Sequence, residues 1–104
     1  MIWVVLVIAG LFETVWALAL KQSAGFSELG PTLLFLATLA ISMVLLAIAL
    51  RELPVGTGYA VWTGTGAVGA ALAGMVLLGE PAALNRILPI GLIALGIVWL
   101  AVSE

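Results

Sequence analysis

The chain contains no cysteine, no histidine and no aspartate. Disulfide staples, thiolate nucleophiles and imidazole bases are excluded, and with them Ser-His-Asp or Cys-His catalysis and the strongest metal-ligand sets. Charge is scarce too. Lys and Arg number 3, Asp and Glu together 5, and charged residues make up 8% of the chain, against about 25% in a soluble domain. An ordinary water-facing surface cannot be made from so few. The three cations are scattered, so the basic cluster that would bind nucleic acid is missing and no nucleic-acid partner is expected. Nothing in the sequence calls for a cofactor, and no acid, base or nucleophile accompanies the one charge far from the loops. An enzyme is not expected.

What is present in quantity is apolar, 65% of the residues. The charged side chains are Glu13, Lys21, Glu28, Arg51, Glu52, Glu80, Arg86 and Glu104. All but Glu13 divide the chain into four apolar stretches, near 2–20, 31–50, 54–79 and 82–103. About 20 apolar residues cross a hydrocarbon core roughly 30 Å thick. In lipid every backbone N–H and C=O must be paired within the protein, so spans of this kind are helices. The expected fold is therefore all-α: a single four-helix integral membrane domain over residues 1–104, in contact with membrane lipid on most sides. Gly30-Pro31, Pro54 and Pro81 stand where helices two, three and four should start. Short loops make consecutive helices antiparallel neighbours. Ala17-Leu18-Ala19 resembles a leader-peptide cleavage site. However, no Lys or Arg precedes the first apolar run and Glu13 interrupts it, so that run reads as a span.

Orientation is weakly encoded. If both termini share one side, Arg51 lies with them and Lys21 and Arg86 lie opposite. This is a small positive-inside bias, compatible with insertion in either direction.

Glu13 is the residue with the least bland explanation. An acidic side chain deep in a membrane span costs about 2.5–3.5 kcal/mol on insertion scales and marks a functional position by default. Its carboxylate is tolerable there only when paired, so it should hold either a proton or a cation. One group required by both ligands makes them compete, which is the minimum needed for an antiporter. Helical spacing puts Ala9, Gly10, Glu13, Trp16 and Ala17 on one face of the first helix. It likewise groups Tyr59, Trp62, Thr63 and Gly66 on the third, and places Ser42 mid-span on the second with Thr38 one turn before it. Aromatic faces around a carboxylate suit a cation. A planar guanidinium suits it especially, since it pairs bidentately and stacks on rings. Trp3 and Trp99 read instead as interfacial anchors. In the third span, Gly66, Ala70 and Gly74 form a small-residue stripe for close helix contact. The run Gly64-Thr65-Gly66 is also a weak point where that helix could bend.

Three segments carry a resemblance to a known family: Ile8-Ala9-Gly10-Leu11-Phe12-Glu13-Thr14-Val15-Trp16-Ala17, Gly25-Phe26, and Leu53-Pro54-Val55-Gly56-Thr57-Gly58-Tyr59-Ala60-Val61-Trp62-Thr63-Gly64. Over essentially its whole length the chain resembles the small multidrug resistance transporters, most closely their guanidinium-exporting subtype. The resemblance implies that Glu13 is the shared site of proton and guanidinium-type cation. It implies that Trp16, Ser42, Tyr59 and Trp62 line the pocket in a hydrogen-bond network, and that Gly10, Gly64 and Gly66 serve helix packing or bending. Drug-exporting members carry a small residue where Trp16 stands here. The family further implies an antiparallel, dual-topology homodimer of eight helices in the bacterial plasma (inner) membrane. In one respect the chain departs from the family pattern: Pro89 stands seven residues before Gly96, where many members have glycine. Two other readings remain open at this point, a quaternary ammonium exporter of the same fold and a non-transporting membrane assembly subunit.

Overall fold

The structure, a computed structural model, describes residues 1–103; Glu104 lies outside the described residues. Four helices account for nearly all of it: α1 (Ile2–Gln22), α2 (Leu29–Ala49), α3 (Val55–Leu77) and α4 (Leu84–Ser103). Each is long and apolar enough to cross a membrane. Helix α2 begins at Leu29, so Pro31 falls in its first turn, where a missing N–H costs no helical hydrogen bond. Helix α3 stops at Leu77. The carbonyl of Gly74 accepts from both Leu78 N and Glu80 N at 3.1 Å, and Gly79 takes a left-handed φ of +68°. Pro81 therefore lies in the connection, and α4 starts three residues after it. The turn is clasped by an ion pair, Arg86 Nη2 to Glu80 Oε1 at 2.9 Å.

The α1–α2 connection is organised by Ser23, which is fully buried. Its hydroxyl donates to Leu20 O at 2.6 Å and accepts from Phe26 N at 3.2 Å, while its carbonyl accepts from Ser27 N and Glu28 N. Ala24, Gly25 and Phe26 all take positive φ in this turn, so only one of three left-handed positions uses the residue that adopts it without steric cost.

Helices α1 and α3 form the centre. Helix α1 packs on α2 and α3, while α4 packs on α3 alone among the described residues. The core joins Leu6 and Ala9 of α1, Leu46 and Ala49 of α2, and Val61 and Trp62 of α3. On α2 the buried positions Thr38, Ser42, Leu46 and Ala49 recur at helical spacing, which makes one inward stripe. Helix α4 buries no residue. The protomer measures 40 × 34 × 18 Å. A helix with its side chains is about 10–12 Å across, so the molecule is a slab at most two helices thick, and it leaves the flanks of α1 and α3 open rather than enclosing them.

Candidate functional site

Glu13 lies beyond the midpoint of α1, and its carboxyl group rests on the backbone of α3 at Gly66. A β-carbon built on Gly66 would overlap Glu13 Cδ and Oε1. The absence of a side chain at Gly66 is what lets the carboxyl reach helix α3. Glu13 Oε1 is buried and has no hydrogen-bond partner among the described residues. The one ion pair found among them joins Arg86 and Glu80. Lys21 and Arg51 stand at the ends of α1 and α2, so the helices themselves bring no cation to Glu13.

Ser42 and Trp62 meet as a bonded pair. Trp62 Nε1 donates to Ser42 Oγ at 2.9 Å, and Ser42 Oγ donates to Ala9 O at 2.7 Å. All three residues are buried. This chain of bonds ties α3 to α2 and α2 to α1 one helical turn before Glu13. Thr38 instead spends its hydroxyl on its own helix, donating to Leu34 O at 2.7 Å. Trp16 is on the same face of α1 as Glu13 and packs edge-on against Phe35 of α2, with ring centroids 5.8 Å apart. Its Nε1 is buried without a hydrogen-bond partner among the described residues. Glu13 Oε1 and Trp16 Nε1 are thus an acceptor and a donor one turn apart, each without a partner.

Tyr59 stacks on Trp62 at 5.4 Å with the rings tilted by 53°, yet it is 53% exposed where Trp62 is 5% exposed. Thr63 is exposed as well. Of the four residues that spacing groups on this face of α3, Trp62 and Gly66 are buried and Tyr59 and Thr63 are not. Their shared face therefore splits into an inward part, Trp62 and Gly66, and an outward part bordering the open flank.

Three glycines govern how closely the helices approach. Gly10 of α1 faces Thr65 of α3, where an added β-carbon would lie 2.6 Å from Thr65 Cγ2 and 2.7 Å from its Cβ. Gly64 faces α4, and its added β-carbon would lie 2.6 Å from Ile97 Cδ1. Gly66 faces Glu13. Helix α3 is therefore gripped from opposite sides within three residues, at Gly64 by α4 and at Gly66 by α1. It runs unbroken through this point.

A groove of about 410 Å³ lies elsewhere, between the second half of α1 and the start of α2, lined by Val15, Leu18, Ala19, Gln22, Gly30, Pro31 and Leu34. It carries no charged side chain and is open to the surroundings, so it offers a cation nothing to pair with.

The family model described as "Small Multidrug Resistance protein" matches residues 1–93. A protein of Yersinia pseudotuberculosis serotype I (strain IP32953), named "Guanidinium exporter", is 56% identical over 104 residues, all of both chains. Proteins with the same name from Salmonella typhimurium (strain LT2) and Citrobacter freundii are 53% identical over 103 residues, 99% of this chain and 98% of theirs.

Proposed function

The chain belongs to the small multidrug resistance family, and from that premise we propose that it exports guanidinium in exchange for protons. Its full-length relatives are named as exporters and not as enzymes, which supports guanidinium export as the activity of this multi-pass membrane protein. Proton coupling is our reading of the site, and the observation that carries it is the buried, unpartnered Oε1 of Glu13. A carboxylate in that position is stable only with a proton or a cation bound. A guanidinium arriving at Glu13 gives two parallel N–H···O bonds to the carboxylate. It also finds ring faces at Trp16 and at the Tyr59–Trp62 pair. A proton arriving there displaces it. Neither ligand crosses back with the other, because both need the same oxygens. No cofactor takes part. Small substituted guanidinium cations fit the same chemistry where the open flank at Tyr59 gives them room.

The slab shape and the uncovered α4 support a second copy of the chain as partner. In our reading two protomers insert in opposite directions in the bacterial inner membrane, and the antiparallel homodimer encloses one cavity holding two Glu13 carboxylates. Such a pair is an inverted repeat made from two chains, and its inward-open and outward-open states differ by exchange of roles between protomers. Bending of α3 at Gly64-Thr65-Gly66 would make that exchange. Two carboxylates and one monovalent cation call for two protons per guanidinium, and a measured ratio of one removes that part of the mechanism.

The test is guanidinium uptake into proteoliposomes under an imposed proton gradient, with Glu13→Gln alongside. Gradient-driven uptake that disappears in the variant is the expected result. Transport of quaternary ammonium ions without guanidinium would assign the chain to drug export. Transport of neither, with a Glu13→Gln chain that still assembles, would leave Glu13 as a helix-pairing residue of a membrane assembly subunit.

A further inference from the structure

Thr14 follows Glu13 and is the one hydroxyl of α1 apart from the terminal loop. Its Oγ1 stands 3.4 Å from Gly10 O of its own helix and 3.5 Å from Gly66 O of α3. The first contact is the ordinary back-bond of a helical threonine. The second crosses to the glycine on which the Glu13 carboxyl rests. The side chain is also set into a notch of α3. A β-carbon on Gly69, one turn beyond Gly66, would overlap Thr14 Oγ1 and lie 3.2 Å from Thr14 Cβ. Glu13 and Thr14 thus engage one residue of α3 in two ways, the carboxyl against its Cα and the hydroxyl at its carbonyl. In lipid, no water replaces a hydroxyl–carbonyl bond that is pulled apart. Here the proton has a second acceptor almost equally near, so the interhelical half can break while the hydroxyl stays paired to Gly10.

We propose that Thr14 is a positioning residue, a latch between α1 and α3 whose hydroxyl sets how fast α3 moves past Glu13. The proposal rests on the reading that α3 bends at Gly64-Thr65-Gly66 during transport. Its bonds divide the labour: Gly10 O holds the hydroxyl when α3 leaves, and Gly66 O recaptures it when α3 returns. Interhelical hydrogen bonds in membranes are worth on average about 0.6 kcal/mol and at most about 1.7 kcal/mol, which corresponds to roughly threefold and twentyfold in rate.

The experiment uses the full chain reconstituted in lipid bicelles, without substrate or gradient, and reads conformational exchange from NMR line shapes of α3 amides. Thr14→Val keeps the shape and removes the hydroxyl, Thr14→Ser keeps the hydroxyl and removes the methyl, and Gly69→Ala pushes the hydroxyl away from Gly66. The expected result is exchange faster by about threefold in Thr14→Val and Gly69→Ala, with Thr14→Ser at the wild-type rate. Thr14→Ser altered as much as Thr14→Val would assign the residue to packing and overturn the latch, as would Thr14→Val or Gly69→Ala at the wild-type rate. A wild-type chain with no exchange at all sinks the moving helix and the latch together. Because no substrate is present, a failure of Glu13→Gln to abolish uptake removes the antiport mechanism and leaves this result to be judged separately.

Discussion

Helices α3 and α4 both carry glycine, and the structure uses it differently in each. At Gly64 and Gly66 of α3 the place of a β-carbon is already taken, by Ile97 of α4 on one side and by Glu13 of α1 on the other. At Gly91 and Gly96 of α4 nothing lies within 4 Å of that place. Helix α3 is buried at six positions, Thr57, Gly58, Val61, Trp62, Gly66 and Gly74, and α4 at none. The two helices are similar in length, and α3 is the richer in glycine. Gly64 and Gly66 of α3 are consumed within the protomer, one against Ile97 of α4 and the other against the Glu13 carboxyl of α1. The glycines of α4 have no use within it, which fits a helix whose other face meets a second chain.

The sharpest way to break this contrast is Gly66→Ala. The new methyl overlaps the end of the Glu13 side chain, which can rotate, so the helices stay packed while the carboxyl is displaced from α3. Guanidinium uptake should fall more than tenfold, on the order expected when a binding group is moved by about 1 Å, with the melting temperature in detergent near that of the wild type. Uptake at the wild-type rate would mean that the pose of Glu13 on Gly66 has no part in transport.

Gly10→Ala tests the opposite kind of contact. Here the overlap is with Cβ and Cγ2 of Thr65, a branched side chain that cannot swing clear, so α1 and α3 must part. Overpacking of this kind costs about 1–3 kcal/mol. Thermal unfolding should show the loss, and Thr65→Ala in the same chain should restore only part of it because its β-carbon remains.

A smaller effect is expected at Ser42. Ser42→Ala removes the acceptor of Trp62 Nε1 and the donor to Ala9 O. Leaving a buried donor unpaired costs about 1–3 kcal/mol. Membrane bonds average nearer 0.6 kcal/mol, so about 1 kcal/mol is the expected loss. Trp62 fluorescence reports the same change directly, since its indole N–H changes from bonded to free.

Much of this architecture is legible in the amino-acid sequence for a simple reason. When charges are so few, each one marks a boundary, and the helices end close to where the charges and prolines put them. Glu13 stands out because of its insertion cost, and Ser42 and Trp62 because polar groups in lipid need partners, while it is the family resemblance that joins those two in one network. The rest depends on three-dimensional neighbours. Spacing puts Tyr59 with Trp62 but does not say that one is exposed and the other buried. Thr14 reads as an ordinary helical threonine until Gly66 and Gly69 are seen to receive it. Glu80 and Arg86 read as loop charges, and only the turn at Gly79 brings them within 2.9 Å. The isolation of α4 is not legible at all, since an apolar helix facing lipid and one facing a partner have the same composition.

Gly96→Ala should have the least effect inside the protomer and is for that reason the most informative about what lies outside it. Beyond the local backbone of α4 and the two neighbouring residues, no atom among the described residues lies within 4 Å of the added methyl. Alanine is the better helix former, by about 0.8–1.0 kcal/mol in a helix interior, so the single protomer should be unharmed or slightly stabilised. If a second α4 approaches at Gly96, the methyl separates the two helices and the dimer fraction in liposomes falls, as counted by single-molecule photobleaching. If the dimer fraction holds, the proposed partner chain does not rest on Gly96. The outward side chains Leu92, Leu95 and Trp99, all more than 60% exposed, are then the surface to alter next. Pro89 bears on the same question. It occupies the position seven residues before Gly96, and its ring leaves the Asn85 carbonyl without a helical donor. A contact resting on both glycine-like positions would therefore be shifted toward Gly96 and the C-terminal half of α4, which makes Gly96→Ala more damaging to association than Gly91→Ala.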